Sequence, residues 1–74
     1  NPLTAIEFSI PVEFKVSLMI YDLMGREVRT LINSNLKPGY HKVNWDASQQ
    51  SSGIYFVKFH AGSHVETQKL MLVK

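Results

Sequence analysis

Three histidines, six acidic residues and a scatter of serines are the residues of this 74-residue chain that could carry chemistry. His41, His60 and His64 have the side chain that most often ligates zinc or moves a proton near neutral pH. No cysteine stands beside them, and His60 and His64 flank Ala61-Gly62-Ser63, a hairpin tip rather than one face of a helix. We therefore expect solvated imidazoles at 60 and 64 and no metal site. His41, two residues before Val43, is placed to make a hydrogen bond at a strand end. Serine, histidine and aspartate are all present, yet no Gly-x-Ser-x-Gly elbow gives any serine the setting of a nucleophile. Glu7 and Glu13 fall on a strand and a turn, with nothing beside them to shift a carboxyl toward acid or base duty. The four glycines are isolated turn residues rather than a phosphate-binding loop. No catalytic residue, no cofactor and no enzymatic activity is expected.

The stretch that remains is Thr67-Gln68-Lys69-Leu70-Met71-Leu72-Val73-Lys74. Leu70 and Leu72 fall on one face of a strand, Met71 and Val73 on the other, and Lys69 and Lys74 bracket the run. Its plain role is packing, with one side buried and the other partly covered. A second role is compatible with the first: the edge groups, the end of the chain and the flanking lysines can be read by a receptor through strand addition or end capture. Thr67, Lys69, Leu70, Met71, Leu72, Val73 and Lys74 are the candidate recognition residues.

The elements that must hold this strand follow from alternation. Ile6, Phe8 and Ile10 alternate with Glu7 and Ser9, and Pro11 ends the run. Phe14, Val16, Leu18 and Ile20 form one face of a second strand; Lys15, Ser17, Met19 and Tyr21 form the other. Asp22-Leu23-Met24-Gly25 is a hairpin turn in which Gly25 supplies positive φ. The next element is ambiguous by spacing alone. Met24, Val28, Leu31 and Ile32 fit a helix, whereas Val28, Thr30 and Ile32 fit a strand, and Asn33-Ser34-Asn35 limits the element to about eight residues. That length without a capping residue favours a strand. Lys37-Pro38-Gly39 is a turn, and His41, Val43 and Trp45 share a face beyond it. Asp46 opens a polar loop with an Asx turn and Gly53 closes it. Tyr55, Val57 and Phe59 then oppose Ile54, Phe56 and Lys58, and the final strand returns over Val65 to Val73. Six to seven strands with turns every 8 to 12 residues or so predict an all-β fold, an immunoglobulin-like β-sandwich of about seven antiparallel strands. Its core is expected to contain Phe8, Val16, Leu18, Ile20, Val43, Trp45, Tyr55, Val57, Phe59, Leu70 and Leu72. Gly25, Gly39, Trp45, Asp46, Gly53 and Tyr55 are its fold motif.

Composition agrees with one small globular domain over residues 1–74: 45% hydrophobic, 19% charged and a net charge of +2. The lysines and arginines are interspersed with acidic residues and form no stripe for phosphate contacts, so nucleic acid is not an expected partner. No apolar run approaches the length of a membrane span, so no membrane insertion is expected. The chain opens with neither Met nor a leader, and we expect it to be the C-terminal part of a larger secreted protein.

Taken in order, Asn1-Pro2, Ile6-x-Phe8-x-Ile10-Pro11, Val16-x-Leu18-x-Ile20-Tyr21-Asp22-Leu23-Met24-Gly25-Arg26-Glu27-Val28, Leu36-x-Pro38-Gly39-x-His41-x-Val43-x-Trp45-Asp46, Ser52-Gly53-Ile54-Tyr55-Phe56 and Thr67-x-Lys69-Leu70-Met71-Leu72-Val73-Lys74 resemble a type IX secretion system C-terminal sorting domain of type A. This module is also called the Por secretion system sorting domain. The chain is similar, too, to the immunoglobulin-like domain of the flagellar hook-capping protein, although the Thr67–Lys74 ending favours sorting. The resemblance implies an immunoglobulin-like domain behind an upstream cargo domain of a Bacteroidetes-type bacterium. It implies export through the periplasm, recognition by the outer-membrane secretion machinery, and delivery of the cargo to the cell surface or extracellular medium. The opening departs from many members, since Asn1-Pro2-Leu3-Thr4 runs almost directly into the first strand.

Two rival classes carry their own expectations. A carbohydrate-binding module would use Tyr40, Trp45, Tyr55 and Phe56 as a stacking platform, though the parity of Trp45 with Val43 and of Tyr55 with Val57 assigns both rings to the core. A spacer or self-associating module would pair two copies, as a homodimer, through Met19, Tyr21 and Phe56 on the outward faces.

Overall fold

A computed structural model describes residues 3–73 and shows six strands: β1 (Leu3–Ile10), β2 (Phe14–Asp22), β3 (Glu27–Leu36), β4 (Gly39–Asp46), β5 (Gly53–Ala61) and β6 (His64–Leu72). All pairings are antiparallel, and the strands form a two-stranded sheet, β1-β4, and a four-stranded sheet, β3-β2-β5-β6. The all-β expectation holds, but the strand count is six rather than about seven. The segment between Asp46 and Gly53 forms no strand, because Ser48, Gln49, Gln50, Ser51 and Ser52 offer no alternating apolar face to bury. The first strand also starts earlier than its apolar residues announce, at Leu3, where Leu3 pairs with Asp46 at the far end of β4.

β3 resolves the ambiguity of period. It is a strand of 10 residues that runs straight through Asn33-Ser34-Asn35 to Leu36, so the polar triplet does not end it. Met24, which would begin a helical stripe, is 80% exposed at the turn. Val28, Leu31 and Ile32 nevertheless all pack on the core. The register explains how: Leu18 pairs with Ile32 and Met19 with Thr30, leaving Leu31 extra, while Ile20 pairs with Arg29 and Tyr21 with Glu27, leaving Val28 extra. Each bulge resets the side-chain parity of the strand. A spacing that reads as helical is thus met by a strand bulged twice.

The core lies between the two sheets. Leu18, Ile20, Trp45, Ala47, Tyr55, Val57 and Leu72 form its buried centre, with Phe8, Val43, Phe59 and Leu70 packed against it. Every residue of the expected core lies in or against this cluster or the smaller one described next. Ile10, Val16 and Ala61 form that second buried group. Three buried residues, Ile10, Ala47 and Ala61, were not among the expected core. The two alanines present too little apolar surface to mark a face by themselves. β5 and β6 meet through Gly62-Ser63, and Gly62 takes φ +60 at the first central position, as a type II′ hairpin turn requires. A Cβ there would lie 2.8 Å from Phe14 Cε1, so this glycine also makes room for the Phe14 ring.

Candidate recognition surface

β6 occupies one edge of the four-stranded sheet, with β5 as its neighbour. Its ladder to β5 is unbroken from Gly53 and Leu72 to Ala61 and His64. The inward face anchors the strand: Leu72 is 2% exposed and Leu70 is partly buried against the central cluster. The outward face is open. Met71 is 66% and Val73 is 62% exposed, and Thr67 and Lys69 are exposed between them and Val65. The sequence-predicted recognition residues therefore divide by parity, with Leu70 and Leu72 facing the core and Thr67, Lys69 and Met71 facing solvent. Lys74 lies outside the described residues.

The outward residues of β6 continue a surface that crosses the sheet. In register, Lys69 stands beside Phe56 and Thr67 beside Lys58, while Met71 stands beside Ile54. On the other flank, Phe56 neighbours Tyr21, Lys58 neighbours Met19 and His60 neighbours Ser17. Two hollows indent this face. One, of about 290 Å³, is lined by Tyr21, Leu23, Phe56, Lys58 and Thr67 among others. The second, of about 250 Å³, is lined by Ser17, Met19, Tyr21, Lys58, His60 and Val65, and so shares Tyr21 and Lys58 with the first.

Of the expected fold-motif residues, Trp45 and Tyr55 pack in the core beneath this sheet. Trp45, 1% exposed, stands edge-on to Tyr55 with ring centroids 5.4 Å apart and an interplanar angle of 69°. The Tyr55 hydroxyl donates to the Ser51 carbonyl at 2.7 Å, fastening the loop that leads into β5. Asp46 Oδ1 accepts from the Ser48 backbone N–H at 3.0 Å, forming the expected Asx turn. Gly25 has φ +85 at the β2–β3 turn, and Gly39 and Gly53 open β4 and β5.

Asp22 has a role that the sequence reading missed. Its Oδ1 accepts from the N–H groups of Met24 and Arg26, both at 2.9 Å, and its Oδ2 accepts from Arg26 Nε at 3.1 Å. The Arg26 backbone N–H above all holds the Asp22 carboxyl below its ordinary pKa; desolvation opposes it, and the Arg26 guanidinium and the Met24 N–H add to the lowering. The signal was available as an aspartate three residues before glycine and four before arginine.

The histidines are separated. His41 stacks on Phe8 at 5.5 Å between centroids, and its Nε2 is 2.8 Å from the Lys37 carbonyl, the strand-end bond expected for it. His60 lines the second hollow, and His64 Nε2 lies 3.4 Å from Glu66 Oε2 at the exposed hairpin. No cluster of three potential metal ligands occurs among the described residues. The sugar platform also does not assemble: Trp45 and Tyr55 are buried, Phe56 faces outward from the four-stranded sheet, and Tyr40 faces outward from the opposite one, where its hydroxyl donates to Glu7.

Over residues 1–74 the chain matches the family described as the secretion system C-terminal sorting domain. The chain belongs to that family. It is the sorting signal of type IX secretion, which marks cargo proteins for export to the cell surface or extracellular medium. The secretion machinery recognises the sorting domain, and the family is a signal rather than a catalyst. No curated protein and no solved structure matches the chain. Among the described residues no helix is long and apolar enough to cross a membrane.

Proposed function

We propose that residues 1–74 form one appended domain of a larger secreted cargo and that the secretion machinery reads β6, with Thr67, Lys69, Leu70, Met71, Leu72, Val73 and Lys74 as the recognised element. The supporting observation is the combination of a regular edge ladder with parity: Leu70 and Leu72 hold the strand to the core, while Thr67, Lys69 and Met71 remain open to a partner. Strand addition to such an edge supplies affinity through the main chain and specificity through alternate side chains. The edges of the two-stranded sheet are less suited, since Glu7, Ser9, Lys42 and Asn44 give them polar outward faces.

In this reading the fold is a reduced immunoglobulin-like sandwich of six strands. Two packed antiparallel sheets, a core tryptophan and a tyrosine near the start of β5 whose hydroxyl reaches a carbonyl four residues upstream all favour it. The domain itself performs no reaction and holds no cofactor. The test is a periplasmic reporter carrying residues 1–74 at its C-terminus in a host with this pathway. Export that depends on a functional translocon, and is blocked by a short tail added after Lys74, is the expected result. A reporter that reaches the medium equally well without the domain refutes the sorting role.

A further inference from the structure

We propose that the trough across the outward face of β2, β5 and β6 is a second docking surface for the secretion machinery, and that its occupant is an extended protein segment carrying apolar side chains and a carboxylate. This rests on the reading of β6 as the recognised strand, since Thr67 and Val65 on the outward face of that strand line the trough. The two hollows of about 290 and 250 Å³ adjoin through their shared Tyr21 and Lys58, so the lysine lies between Asp22, Leu23 and Phe56 on one side and Ser17, Met19, His60 and Val65 on the other. Large side chains frame it at Tyr21, Phe56 and Met19, and the short Thr67 and Ser17 leave space beside them.

Charge selects the occupant. Neither Lys58 nor Lys69 has an ion-pair partner among the described residues. The Asp22 carboxylate, which lines the first hollow, is paired with Arg26, while Glu27, across from Tyr21 on β3, accepts from the Thr30 hydroxyl and keeps its charge. Lys58 and Lys69 are thus the unpaired cations of this face, and a carboxylate on the partner would pair with them. A second copy meeting this face with its own would set lysines near lysines. Continuity with an open strand edge favours a protein segment over a lipid surface, because a segment added alongside β6 can turn its neighbouring residues onto the trough.

The experiment uses the same reporter fusion with Lys58→Glu, Lys58→Arg and Phe56→Thr, each checked by thermal melting of the purified fusion. Lys58→Glu is expected to lower export about tenfold, the factor that corresponds to about 1.4 kcal/mol of lost affinity, with Phe56→Thr following and Lys58→Arg close to wild type. If Lys58→Glu melts early, Lys58→Gln takes its place with the same expected direction. Folded Lys58→Glu and Phe56→Thr fusions exported like wild type overturn the trough while leaving β6 intact as the signal. A wild-type fusion that stays inside sinks both readings together. Anionic phospholipid vesicles that sediment the wild type but not Lys58→Glu would reassign the face to a membrane. A concentration-dependent dimer abolished by Phe56→Thr would reassign it to a second copy, and either result overturns the proposal.

Discussion

The four-stranded sheet is two hairpins side by side, and they manage their outer edges in opposite ways. The β2–β3 hairpin turns through a loop tied by the Asp22 carboxylate and breaks register twice, at Leu31 and at Val28. The β5–β6 hairpin turns in two residues at Gly62-Ser63 and keeps register throughout. A bulged edge twists and offers a poor template for another strand, whereas a regular one is open to addition. The same sheet thus guards the β3 side and leaves the β6 side available, which is the asymmetry a one-sided docking signal needs.

The largest perturbation removes what both hairpins share. Trp45→Ala empties the centre of the core and is expected to cost about 3 to 5 kcal/mol, a large part of the about 4 to 11 kcal/mol that a chain of this length commands. Circular dichroism melting should show both hairpins lost in one transition; a native-like melt would mean that they do not depend on a common core. Leu72→Ala comes next, at about 2 to 4 kcal/mol for a fully buried leucine, and Leu31→Ala should cost less because its bulge position is only partly buried. Equal losses in urea titrations would deny that β6 is the better anchored of the two edges.

The turns differ more finely. Gly62→Ala places a methyl against Phe14 and meets a left-handed backbone, a cost of about 1 to 2 kcal/mol from conformation alone. Differential scanning calorimetry would read it, and an unchanged midpoint would show that the turn relaxes freely. At the other hairpin the effect is one of pH. Asp22 has a lowered pKa in the folded chain, so its contribution is present above the ordinary value of 3.8 and is lost as pH falls through the lower folded value. Asp22→Asn should remove that part of the acid dependence. A wild type and variant with parallel melting curves at every pH from neutral to strongly acid would discount the tie.

Much of this was legible beforehand. Alternation in β1, β2, β4 and β5 marks the buried parity of each strand, because a half-buried strand can satisfy its core in only one register. The inward role of Leu70 and Leu72 and the outward role of Met71 follow from the same parity. The trough was not legible, because Tyr21, Phe56, Lys58 and Thr67 come from three strands and become neighbours only through pairing.

From its sequence alone this chain determined an all-β fold, the turns outside the end of β3 and the two faces of every strand but β3, since those depend on local geometry and on which side chains avoid water. Only the tertiary structure decided that β6 lies at an edge, that β3 is bulged twice and that six strands suffice. Those outcomes depend on which strands lie side by side, and pairing is a long-range choice made by the whole core at once.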